Sequence, residues 1–164
     1  MKVDLQEQGD NSLLIATFQL RSALFGIDAQ QVQEIVRVGE ITPVHHAPPY
    51  VAGIRNLRGR IVTVLDLRAR LELGSVASGA DNRILIVDWQ GEPIGLLVDS
   101  IAQTILLNPA EILPPPPNVH GCQRRNLQGI CHSGDRLLAL LDAGTVLQPE
   151  DTANQSSQME LATA

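Results

Sequence analysis

Aromatic residues are nearly absent. Phe, Tyr and Trp together make up 2% of the 164 residues, so any core has to be built from Val, Ile, Leu and Ala. A basic block is missing too: 12 Lys and Arg against 18 Asp and Glu leave a formal charge of −6. Such a balance is a poor electrostatic match for nucleic acid or an anionic lipid surface. No apolar run approaches the roughly 20 residues of a membrane-spanning helix. The opening stretch, Met1-Lys2-Val3-Asp4-Leu5-Gln6-Glu7-Gln8, lacks the positive flank and apolar centre of a signal peptide. The two cysteines, Cys122 and Cys131, allow at most one bridge, which is no secreted disulfide framework. These absences point to the cytoplasm, with protein partners or small ligands and no direct insertion into a membrane.

Catalytic motifs are also missing. There is no P-loop, dinucleotide glycine fingerprint, nucleophile elbow or zinc-protease helix, and nothing pairs a nucleophile with a base. No enzyme activity and no cofactor are expected. His120, Cys122, Cys131 and His132 lie close in sequence, but zinc needs about four converging ligands. Cys131 and His132 are neighbours, and on a strand neighbours point to opposite faces. His45-His46 has the same difficulty. Buried cysteine and loop histidine is the better reading, and no metal is expected.

What the chain does have is 44% hydrophobic residues, enough to offset the entropy of ordering most of it. Residues 1–12 read as a disordered leader and 149–164 as a polar tail, with one domain over 13–148. Leu14, Ala16, Phe18 and Leu20 alternate on a strand, and Arg21-Ser22 turns it into Ala23–Ile27. Asp28 and Gln31 form a helix-start pattern. It predicts a helix in which Val32, Ile35 and Val36 share an apolar stripe and Glu34 points away from it. Val51 to Leu65 reads as a hairpin around Leu57-Arg58-Gly59. Asp66 caps a short helix closed by Gly74, and Ser75 to Asn82 is a linker. Strands come next at Arg83–Asp88 and Pro93–Val98, then an exposed loop at Pro114–Pro117, strands at Gly129-Ile130 and Arg136–Leu141, and a helix starting at Asp142.

The chain also repeats itself. Residues 51–66 can be laid on 127–142 without a gap, putting Gly53 on Gly129, Ile54 on Ile130, Arg60 on Arg136 and Asp66 on Asp142. A looser echo places Ile27-Asp28 on Val98-Asp99 and Ile41-Thr42-Pro43 on Ile112-Leu113-Pro114. The repeat implies two similar β units, side by side.

Several segments taken in order resemble the CheW-like proteins of bacterial chemotaxis. They are Phe18-Gln19-Leu20 with Phe25-Gly26-Ile27-Asp28, Val32-Gln33-Glu34-Ile35-Val36, Ile41-Thr42-Pro43, and Ala47 to Ile54. Asn56-Leu57-Arg58-Gly59-Arg60-Ile61-Val62 continues through Val64 to Arg68, and Ile94 to Asp99 and Gly134 to Leu138 complete the set. The resemblance covers about residues 12 to 148. It departs at His45 and Thr63, where the family often has proline, and over 114–128. It implies a mostly β fold of two five-stranded, Src-homology-like barrels with short helices. It also implies a non-enzymatic adaptor. One surface would hold the cytoplasmic tip of a methyl-accepting chemoreceptor, another the regulatory domain of a CheA-type histidine kinase, in membrane-associated arrays. Carried over by position, the receptor side comprises Val32, Glu34, Ile35, Gly53, Asn56, Arg58, Ile101 and Thr104, with an ion pair expected between Glu34 and Arg58. Kinase-contacting residues are not assigned by it. A related route to pilus motility or phototaxis is the alternative output. The chain is too short for an added receiver, phosphotransfer or kinase domain, so a stand-alone adaptor is expected.

Overall fold

The structure is a computed structural model that describes residues 11–118 and 121–148, the side chains of 121–123 excepted. Strands β1 (Leu13–Leu20) and β2 (Ala23–Asp28) form the first expected hairpin. Asp28 does act as a cap, its carboxylate accepting from the Gln30 N–H at 2.9 Å, but only a single 3-10 turn over Ala29–Gln31 results. The expected helix is then a strand, β3 (Val32–Arg37), with alternating burial. Val32, Ile35 and Val36 are β-branched and stiff at χ1, which favours the pleated conformation.

Next come β4 (Val51–Leu57), β5 (Arg60–Asp66), the one-turn helix α1 (Leu67–Arg70), β6 (Arg83–Trp89), β7 (Glu92–Val98) and β8 (Ser100–Leu107). Beyond them are α2 (Gly121–Asn126), β9 (Leu127–Ser133), β10 (Arg136–Leu141) and α3 (Ala143–Leu147). Helix α2 and a 3-10 turn at Pro109–Glu111, capped by Asn108, have no counterpart in the sequence reading.

The strands make two five-stranded sheets, β8-β1-β2-β10-β9 and β3-β6-β7-β5-β4. One unit is continuous over residues 32–98; the other is split, using 13–28 and then 100–141. Among the described residues the edge strands of neither sheet bond to each other. Each unit is thus a Src-homology-like sheet with an open seam. Isolated bridges, Thr42 to Ile54 and Leu113 to Ile130, run connecting chain along part of each seam.

The internal repeat is exact in its ladder. Leu57 pairs Arg60, Gly53 pairs Val64, and a register shift precedes Val51 with Leu65. In the second copy Ser133 pairs Arg136, Gly129 pairs Leu140, and the same shift precedes Leu127 with Leu141. Asp66 and Asp142 each cap the next helix, accepting from the Ala69 and Thr145 N–H groups. The first hairpin repeats as well, for a Cβ added at Gly26 would meet Ile15 Cγ2 at 2.6 Å and one added at Gly95 would meet Ile84 Cγ2 at 2.6 Å. That ladder matches Gly26 with Gly95, so the echo of Ile27-Asp28 in Val98-Asp99 is out of register by two residues; Thr42 and Leu113 do correspond, each bridging its own β4 or β9. Each sheet therefore takes two strands from one repeat and three from the other.

Three cores result. Val62, Val64, Ile84, Ile86 and Leu97 fill the 32–98 unit, while Ile15, Leu24, Leu107, Cys131, Leu138 and Leu140 fill the split unit. Between the sheets lies a larger shared core containing Phe18, Leu20, Leu85, Val87, Leu96, Val98, Leu67 and Val146. Phe18 and Phe25 stack there with centroids 6.4 Å apart.

Candidate protein-docking site at the end of the 32–98 unit

Hairpin β4–β5 closes through the two-residue turn Arg58-Gly59. Both residues have positive φ, 52° and 87°, as the tight turns that match strand twist require. The Asn56 side-chain oxygen accepts the Gly59 N–H at 2.8 Å and locks the turn. In the second copy the place of Arg58 is held by Gly134, at φ 62°, the residue type such a turn favours. A left-handed arginine costs roughly 1–2 kcal/mol against that preference. The turn itself gives no reason for Arg58.

Its side chain supplies one. Arg58 Nη2 pairs with Glu34 Oε1. Glu34 lies on β3 and Arg58 at the tip of β4–β5, so the pair spans the seam between the two edge strands. A register shift between Val32 and Glu34 sets their phases. Glu34 and Val36 pair with Ile86 and Ile84 of the unit's interior, whereas Val32 and Ile35 pair with Val87 and Leu85 of the shared core. The ion pair expected from the resemblance is present, although β3 is not the helix on which it was placed. Arg58 is 69% exposed in its side chain and Glu34 34%.

The pair stands over a shallow cavity of about 140 Å³ at the open end of the unit, with a lining residue from every strand of the sheet or its turn. Val62 and Ile86 form its apolar floor; Gln33, Glu34, Leu57, Arg58, Arg60 and Pro93 surround it. Gln33, Arg60 and Pro93 escaped the sequence reading because only the sheet order brings three separate strands to one end.

The other residues assigned by resemblance are placed elsewhere. Gly53 is buried, at φ 149°, and a Cβ there would sit 2.8 Å from the Thr42 carbonyl carbon and from Ile41 Cγ2. Its role in the fold is to let connecting chain close on β4. Ile101 and Thr104 lie on β8, an edge strand of the other sheet, opposite Phe18 and Ala16. They hold the same ladder positions as Val32 and Ile35 on β3. These four residues, with Ile35 43% and Ile101 36% exposed, face the shared-core side from two corresponding edges. None of the four lines the cavity beside the Glu34–Arg58 pair.

Cys131 is free and buried, and burial with the nearby Glu111 charge pushes its thiol up from the ordinary value. It is a protonated core side chain at neutral pH. Among the described residues no group of His, Cys, Asp and Glu is placed to hold a metal ion; His120 and the Cys122 side chain lie outside them. No helix among the described residues is long and apolar enough to cross a membrane.

The arrangement sets an exposed cation, held in place by its partner, over an apolar floor. Comparison with known proteins gives it a context. The family model described as the CheW-like domain matches residues 15–151. The chain is 32% identical over 137 residues to the chemotaxis protein CheW of Treponema pallidum, covering 81% of each chain. It is 30% identical to that of Bacillus subtilis, covering 82% of this chain and 86% of the other. A crystal structure of the scaffolding protein TtCheW from Thermoanaerobacter tengcongensis is similar, with a TM-score of 0.77 and 32% identity over 84% of this chain and 89% of that one. The chain belongs to the CheW-like family of chemotaxis scaffold proteins.

Proposed function

We propose that this chain joins the cytoplasmic tip of a methyl-accepting chemoreceptor to the regulatory domain of a CheA-type histidine kinase, and that it performs no catalysis of its own. In this reading it works in the cytoplasm and is recruited to membrane-associated receptor arrays. The observation that carries the receptor side is the exposed Glu34–Arg58 pair across the seam of the 32–98 unit. An exposed pair of this kind contributes only about 0–1 kcal/mol to folding, so stability is a weak reason for it. Glu34 aims the guanidinium fork, whose remaining donors suit polar groups on the receptor. Asn56 shapes the turn that carries Arg58, and Gly53 sets the packing behind it. Val32, Ile35, Ile101 and Thr104 give the receptor's apolar side chains a surface on the two edge strands.

The kinase side in this reading falls on the split unit. Leu14 and Leu106 face each other across β1 and β8 and are 48% and 61% exposed. Paired exposed leucines of this kind give a barrel-to-barrel interface apolar area to bury. The test is a pull-down from the native cell with this chain as bait. Both a receptor and a kinase should be recovered, and Arg58→Ala bait should lose the receptor and keep the kinase. Recovery of neither protein contradicts the reading.

A further inference from the structure

The Glu34–Arg58 pair leaves a second cation at the same cavity. Arg60 stands at the start of β5, exposed, with Val62 below it on the same face. Its guanidinium has no ion-pair or hydrogen-bond partner among the described residues. Glu34 is the one carboxylate lining the cavity, and Arg58 already engages it. The cavity is therefore one positive charge in excess, in a chain whose formal net charge is −6.

Resting on the receptor reading above, we propose that the end of the 32–98 unit takes an acidic side chain of the receptor tip. Its carboxylate lies against Arg60, and a neighbouring apolar side chain of the tip covers Val62 and Ile86. Charge complementarity selects this occupant. A basic side chain entering the cavity would meet two guanidinium groups, one of them uncompensated, and a neutral one would leave Arg60 to be partly desolvated without a partner. Arg60 then sets which receptor tips fit, while Arg58 and Glu34 supply the contact common to them.

The experiment measures binding of the purified helical-hairpin tip of a receptor recovered from the native cell to wild-type protein and to Arg60→Glu, Arg60→Gln, Arg60→Lys and Arg58→Ala. The proposal expects Arg60→Glu to weaken receptor binding by about tenfold or more, roughly 1.4 kcal/mol. Arg60→Gln should fall between it and wild type, and Arg60→Lys should stay within about threefold of wild type because the charge is kept. Kinase binding should be unchanged in all three. A Glu or Asp to Lys change at one position of the tip should restore binding to Arg60→Glu. Wild-type receptor affinity in Arg60→Glu and Arg60→Gln alongside a loss in Arg58→Ala overturns this proposal and leaves the receptor reading standing. Wild-type affinity in Arg58→Ala as well removes both. A weakened Arg60→Glu that no acidic-to-lysine change in the tip restores also overturns it, since the group facing Arg60 is then not a carboxylate.

Discussion

Arg58 sits where the backbone prefers glycine, and its copy in the other unit, Gly134, is glycine. That contrast separates function from stability more sharply than truncation does. Arg58→Gly relieves the left-handed strain but gives up the ion pair and adds unfolded-state freedom, so its net effect on stability is within about 1 kcal/mol of zero. The melting temperature should stay within about 2–4 °C of wild type, while receptor affinity drops. Arg58→Lys should also bind poorly, because the charge remains and the planar fork is lost. Gly53 behaves in the opposite way. Gly53→Ala places a methyl against the Thr42 carbonyl group at a φ that side chains rarely adopt. A thermal melt should show a loss on the order of 1–3 kcal/mol, and any loss of receptor binding should track unfolding. Both residues were assigned to the receptor side through resemblance alone. Nothing at the level of single residues distinguished the exposed turn residue from the one that lets the chain pass, because that difference is the position of Thr42, a bridge formed across the seam.

Among the elements, hairpins and capped helices were legible because their signals are local. Arg58-Gly59 turns where the sequence places a turn, and Asp66 and Asp142 cap where expected. Strand β3 was not, for a physical reason. Five residues with three apolar β-branched positions fit a helical stripe as well as a pleat, and the ladder to β6 decides between them. The bulge before Glu34 then sends Val32 and this carboxylate to opposite faces, and Val36, expected on one stripe with Val32 and Ile35, turns to the interior of the 32–98 unit instead. The last helix is held at its carbonyl end by a buried arginine. Arg70, 6% exposed, donates from Nε to the Val146 carbonyl at 3.0 Å and from Nη2 to the Gln148 carbonyl at 3.1 Å, with its guanidinium 5.0 Å from the Tyr50 ring. It caps the carbonyl end of α3, where a cation is favoured. Arg70→Met should speed amide hydrogen exchange over 143–148 more than over β6 and β7. Equal acceleration throughout would mean that Arg70 supports the whole core and not this end of the chain.

At the scale of the molecule, the repeat was visible in sequence but its reciprocal exchange was not, since local pattern does not say which strands pair. The exchange explains why the units are inseparable. Residues 32–98 contain a complete sheet and its own interior core, yet Leu85, Val87, Leu96 and Val98 bury against the split unit. A fragment of 32–98 should therefore aggregate or melt without cooperativity; a sharp reversible melt would contradict a shared core. Asp99, at the crossing from β7 to β8, fastens the two units. It accepts from the Arg21 N–H at 2.6 Å and from Arg68 Nε at 2.9 Å, joining hairpin β1–β2 to helix α1. The repeat is also what makes the molecule two-sided. In the split unit the places of Glu34 and Arg58 hold Gln103 and Gly134, so only one unit carries the charged pair, and the other offers Leu14 and Leu106. In the proposed reading these two different ends, joined by the shared core, serve two partners. The most direct test is sedimentation of purified kinase with receptor-bearing membranes, with and without this chain. Kinase should pellet only when the wild-type chain is added, and should stay in the supernatant, still bound to the adaptor, with Arg58→Gly. Kinase that pellets equally without the chain, or equally with Arg58→Gly, would contradict the account.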